Sequence, residues 1–168
     1  MISLLFICLG NICRSPMAES VCRHILESQG LQDQFHVDSA GTAGYHIGKS
    51  PDPRTLKVLE KHGLSTTHQG QKLSLAMLDT FDHLIVMDTE NFEFVHQLYH
   101  QHFHRPPAPE KVFLLRDHDP LTRGVQEVPD PYYENEKAFE EVYQIVFRSC
   151  EQMIQYLLEF HGIKPNET

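Results

Sequence analysis

The chain is predicted to be an α/β protein, a three-layer sandwich in which a four-stranded parallel sheet is flanked by helices. Short apolar runs alternate with longer amphipathic stretches, the pattern of strands joined by crossover helices. Residues 2–7 are almost continuously hydrophobic, as a central strand covered on both faces must be. No repeat, linker or composition break divides the 168 residues, so residues 1–168 are expected to form one domain with a substantial core.

Each element has its own justification. After the first strand, Ser15 can cap a helix and Pro16 suits its first position. Ala18, Val21, Cys22, Ile25 and Leu26 then recur at helical spacing until Gly30. Residues 35–40 form a second strand, ended by the stretch Gly41-Thr42-Ala43-Gly44. Residues 53–62 read as a helix closed by Gly63, residues 81–87 as a third buried strand, and residues 91–99 as a further helix. The proline-rich segment 106–109 is a stiff loop before a fourth strand at 111–115. Residues 136–160 place Val142, Val146, Cys150, Met153 and Leu157 on one face of a long closing helix.

The formal net charge of -9 disfavours nucleic acid or an anionic membrane as a partner, so any bound anion needs a local pocket. No apolar stretch approaches bilayer-spanning length, and the apolar N-terminus lacks a basic leader, so it reads as a strand. Four cysteines, two of them five positions apart beside an arginine, suit a reducing compartment, and the cytoplasm is expected.

The segment Cys8-Leu9-Gly10-Asn11-Ile12-Cys13-Arg14-Ser15 carries the chemistry. It falls at the carboxyl end of the first strand, where such folds bind ligands. Gly10 and Asn11 tolerate left-handed backbone, so successive amides can converge on one anion, and the following helix adds its positive end. Arg14 can fork across two oxygens of a phosphoryl group. The same donors favour the thiolate of Cys8 near neutral pH, a nucleophile that Ser15 Oγ can steady as a leaving group. Downstream, Asp130 stands between Pro129 and Pro131 and before Tyr132 and Tyr133, a carboxyl held in place to protonate a leaving oxygen.

Together these residues resemble the low-molecular-weight protein tyrosine phosphatases. The match runs from CLGNICRSPMAE at 8–19, through DSAGT at 38–42 and GKSPDPRT at 48–55, to MDTEN at 87–91 and DPYY at 130–133. The resemblance implies that Cys8 is the nucleophile, Arg14 the phosphate clamp and Asp130 the general acid and base. It implies a polar network of Asn11, Ser39 and His68 holding the loop, and Tyr45, Tyr132 and Tyr133 as pocket walls. Leu9, Gly10, Ile12 and Cys13 complete the phosphate loop, and His46 is expected at the rim beside Tyr45. No cofactor and no metal are implied. The expected partners are a phosphotyrosine protein and inorganic phosphate or a related oxyanion, and a monomer is expected. In the family a pair such as Cys8 and Cys13 can close a protective disulfide, and tyrosines equivalent to Tyr132 and Tyr133 are phosphorylated in some relatives.

Two rival activities share the fold. A protein-arginine phosphatase branch carries threonine where this chain has Ile12, which tilts the expectation toward phosphotyrosine. Arsenate reduction needs two further relay cysteines, and only Cys150 is on offer downstream, at a packing position. A silent phosphotyrosine-binding protein is disfavoured by the presence of thiol, guanidinium and Asp130 together. Cys22 and Cys150 are expected in the core, Asp88 as a tie between loops, and the histidines at 96, 100, 102 and 104 on a solvated surface.

Overall fold

A computed structural model describes residues 1–124 and 126–165. The element order is β1 Ile2–Cys8, α1 Arg14–Ser28, β2 Phe35–Gly41, α2 Pro53–Lys61, α3 Leu75–Thr80, β3 His83–Val86, α4 Thr89–Phe103, β4 Val112–Leu114, a 3-10 turn Leu115–His118 and α5 Glu136–His161. The four strands form one sheet in the order β2-β1-β3-β4, every neighbouring pair parallel.

β1 is central, and its side chains explain its unbroken apolar run. Leu4 and Phe6 point into a core shared with α1 and α5, while Leu5 and Ile7 enter a second core beneath α3 and α4. All four are fully buried. A strand with a helix layer on each face has no side that water would favour a polar residue on. On α5, Phe139, Val142, Val146, Cys150, Met153 and Leu157 form a buried stripe at spacings of three and four against the first core. Because β1 lies between β2 and β3, the loops after β1 and β3 diverge at the carboxyl edge of the sheet and leave a crevice there.

The structure departs from the sequence reading at several boundaries. Cys13, not Ser15, is the N-cap of α1, so Arg14 is its first residue and Pro16 its third. Ser15 is fully buried, and its hydroxyl is engaged elsewhere. α3 spans six residues, too few for a periodic signal, and its one readable mark is the Ser74 side chain accepting from Met77 N. β3 is shorter than residues 81–87 because Phe81 serves as the C-cap of α3. α4 begins at Thr89 with a capping box between Asp88 and Asn91, earlier than expected, and continues to Phe103.

Candidate active site

The thiol loop turns sharply between β1 and α1. Asn11 adopts φ 57°, a left-handed conformation that asparagine tolerates better than most residues. Gly10 is not in that conformation, contrary to expectation; its need is for space, since a Cβ there would meet His46 Cδ2 at 3.2 Å. The stretch after β2 lines the outside of the loop: Thr42 N donates to Cys8 O at 2.9 Å and Ala43 N to Leu9 O at 3.0 Å. Those bonds tie the loop's first carbonyls to β2's extension. Gly41 permits the approach, for a Cβ there would lie 2.8 Å from Leu9 O.

Beneath the loop, Asn11 uses its whole side chain. Its Nδ2 donates to Ser15 Oγ at 2.8 Å and to Ser39 Oγ at 3.0 Å. Its Oδ1 accepts from Gln71 N at 3.0 Å and lies 2.7 Å from His68 Nε2. Ser39 Oγ donates to Glu19 Oε1 at 2.9 Å, and His68 Nδ1 faces that same oxygen at 3.2 Å. Ser15 Oγ already accepts from Asn11, so its one hydrogen is available to the sulfur of Cys8, 3.0 Å away. The Asn11 amide adds a second donor to that sulfur at 3.3 Å. Cys8 Sγ therefore sits at the carboxyl end of β1 with two directed donors and the amino end of α1 beside it.

Arg14 is buried, and two acceptors hold one end of its fork. Nη1 donates to Asp88 Oδ2 at 2.7 Å and to Val128 O at 3.1 Å. Both Nη1 hydrogens are thus taken, and Nη2 lies 3.7 Å from Asp130 Oδ2. Burial alone would push the guanidinium's pKa down. The Cys8 sulfur and the Asp88 and Asp130 carboxylates outweigh it and raise the pKa above the ordinary value, so the cation is secure.

Asp130 approaches from the opposite side, its side chain 45% exposed, with Oδ1 accepting from Tyr132 N at 3.1 Å. It faces a cavity of about 300 Å³ whose floor holds Cys8, Cys13 and Arg14. Leu9, Gly10 and Ile12 line the same cavity, and Tyr45, His46, Tyr132 and Tyr133 form its walls. Tyr45 is 74% exposed, with His46 edge-on to it. Asn11, Ser15, Ser39 and His68 lie below, as scaffold. Burial first, then Asp52, Cys8 and Asp130, push the Cys13 thiol up to about 12, so it stays protonated at neutral pH.

The sequence reading missed several parts of this arrangement. Glu19, 1% exposed, anchors Ser39 and His68. Asp88 ties the end of β3 to the thiol loop as expected, but its partner there, Arg14, was not foreseen. Asp52 and Arg54 join the thiol loop to the loop that carries Asp130. All four lie within or beside the quoted motifs, which was the available signal. Elsewhere, Cys22 and Cys150 are fully buried in the first core. On α4, His96 packs at a tilt against Phe92, and His100 and His102 are exposed.

The profile of a family described as low molecular weight phosphotyrosine protein phosphatase matches residues 3–161. The pig low molecular weight phosphotyrosine protein phosphatase is 37% identical over 153 residues, covering 91% of this chain and 94% of its own. The crystal structure of the protein tyrosine phosphatase from Entamoeba histolytica with Hepes in its active site superposes with a TM-score of 0.86 at 34% identity, covering 96% and 99% of the two chains. That of DARP, the Drosophila arginine phosphatase, gives 0.79 at 33%, covering 94% and 98%. By profile, relatives and fold alike, the chain belongs to the low molecular weight protein tyrosine phosphatases.

Proposed function

We propose that the chain hydrolyses phosphotyrosine on proteins through a phosphocysteine intermediate. The observation that carries this is the convergence of Cys8, Arg14 and Asp130 on one cavity, the sulfur held by donors from Ser15 and Asn11. The Cys8 thiolate attacks phosphorus in line, forming the S–P bond as the bond to the phenolic oxygen breaks. Asp130 gives its proton to that oxygen. Water then attacks phosphorus and passes a proton to the Asp130 carboxylate, the S–P bond breaks, and phosphate is released. Arg14 and the loop amides favour the charge that builds on the phosphoryl oxygens. The leaving thiolate returns to the hydrogen bonds of Ser15 Oγ and the Asn11 amide.

The walls support an aryl substrate. Tyr45 and Tyr132 offer flat apolar faces to a phenyl ring, and Ile12 adds an apolar side chain to the cavity. A phosphoserine is too short to reach the floor while lying between those rings. Phosphoarginine is the second reading, favoured by the likeness to DARP and opposed by the apolar Ile12. Arsenate reduction is less well supported, because Cys22 and Cys150 are fully buried in the core, away from the cavity. All four cysteines are free thiols, which fits a reducing, cytoplasmic setting; among the described residues no helix is long and apolar enough to cross a membrane.

Turnover of an aryl phosphate in the presence of a chelator, blocked by vanadate, is the expected behaviour. Cys8→Ser abolishes that turnover while calorimetry still detects phosphate binding. Activity in Cys8→Ser near that of the parent would end the proposal. Phosphotyrosine peptide should be hydrolysed faster than phosphoarginine peptide, and the reverse order would establish the second reading.

A further inference from the structure

We propose that Arg54 is a positioning residue for catalysis: from the start of α2 it fixes where Asp130 stands over the thiol loop. The inference rests on Asp130 as proton donor. Asp52, the N-cap of α2, donates its N–H to Ile12 O at 2.8 Å and so is fixed to the thiol loop. Its carboxylate accepts from Arg54 Nε at 3.0 Å and from Nη2 at 2.9 Å, a two-point grip that orients the guanidinium. That guanidinium then reaches across about eighty residues of sequence to the acid loop. Nη2 donates to Tyr132 O at 2.9 Å and Nη1 to Glu134 O at 2.9 Å. Its Cζ lies 4.4 Å from the Phe139 ring centroid and 5.8 Å from that of Tyr132.

One planar cation therefore measures the gap between the loop that carries the sulfur and the loop that carries the acid. Tyr132 is the residue whose N–H holds Asp130 Oδ1. At the other end of the acid loop, Val128 is fixed by its N–H to Met87 O at 2.8 Å and by its carbonyl to Arg14. Pro129 and Pro131 restrict the backbone between these anchors. Val128 sets the entry of the segment and Arg54 its exit. A general acid acts only within hydrogen-bond reach of the leaving oxygen, and displacement by about 1 Å can cost as much as 10²-fold in rate. Lysine cannot replace this arrangement, since an ammonium has no fork to meet Asp52 and two carbonyls together.

The test is kcat/KM for aryl phosphates of graded leaving-group acidity, from phenyl phosphate to the dinitrophenyl ester, whose oxygen leaves without a proton. The proteins are wild type, Arg54→Ala, Arg54→Lys, Asp130→Asn and the Arg54→Ala/Asp130→Asn double variant. Both Arg54 variants should lose roughly 10-fold or more on phenyl phosphate and less than about 3-fold on the dinitrophenyl ester. In the Asp130→Asn background, Arg54→Ala should cost less than about 3-fold on either substrate. An equal loss across all leaving groups, no loss at all, or a full multiplicative loss in the double variant would overturn the proposal. Should Arg54→Ala fail to fold, Arg54→Lys carries the same comparison. If Asp130→Asn itself shows no dependence on the leaving group, the assignment of the acid fails and the Arg54 proposal falls with it. If Asp130→Asn shows that dependence and the Arg54 variants do not, only the role of Arg54 is rejected.

Discussion

Cys8 and Asp130 face one cavity from loops of opposite construction. The thiol loop is buried and held from within: Asn11 spends four hydrogen bonds beneath it, and Glu19, Ser39 and His68 form a second tier below. The acid loop is exposed and held from without, by Arg14 at Val128 O and by Arg54 at Tyr132 O and Glu134 O. Under the proposed mechanism the sulfur needs fixed donors and little water, and its loop is saturated with internal bonds. The acid proposed for Asp130 must exchange protons with water and needs access, and its segment is clamped at the ends and open in the middle.

Replacing the fork gives the sharpest break of that contrast. Arg14→Lys keeps the charge but loses the two-point grip, and kcat/KM should fall about 10²–10³-fold with every aryl phosphate, whatever its leaving group. A loss confined to poor leaving groups would mean that Arg14 acts through Asp130 and not on the phosphoryl group. Removing the scaffold comes next. Asn11→Ala leaves Ser15, Ser39, His68 and the Gln71 amide each short of a partner and keeps φ 57° without the amide's hydrogen bonds to hold it. Urea titration should show a loss of about 2–3 kcal/mol, with kcat/KM down about 10²-fold. Parent stability in that variant would show the network to be dispensable.

The smallest effect concerns pH and the outer clamp. Hydrogen bonds from Arg54 hold the Asp52 carboxyl below its ordinary value of 3.8. A carboxylate lowered on folding adds stability that is present above its unfolded value and is lost as pH falls through its folded value. The stability difference between wild type and Asp52→Asn should therefore be constant well above pH 3.8 and shrink as the pH falls through and below that value. A difference that does not change over that window would place the contribution of Asp52 in helix capping alone.

The site was legible where its chemistry is local. Eight consecutive residues carry the sulfur, the fork and the hydroxyl, and a proline-flanked carboxyl announces itself. The sheet could be read because β1 must be apolar on both faces. What escaped was mostly long-range. Asp88 meets Arg14 across 74 positions and Arg54 meets Tyr132 O across 78, and no periodicity encodes such pairs. Ser15 misled for a different reason: a serine before a proline satisfies the capping rule, but here the hydroxyl is recruited by a sulfur. α3 escaped because fewer than two turns leave no pattern to count.

A cradle whose shape is set by bonds internal to the protein has little means of telling one tetrahedral oxyanion from another. Under the proposed mechanism, sulfate, arsenate, vanadate and the released phosphate all present the same geometry to the thiol loop and Arg14. Discrimination would then come from the aromatic walls and from reactivity, with free orthophosphate a standing competitor. In a cell, the resting throttle on this protein would be the ambient phosphate pool itself.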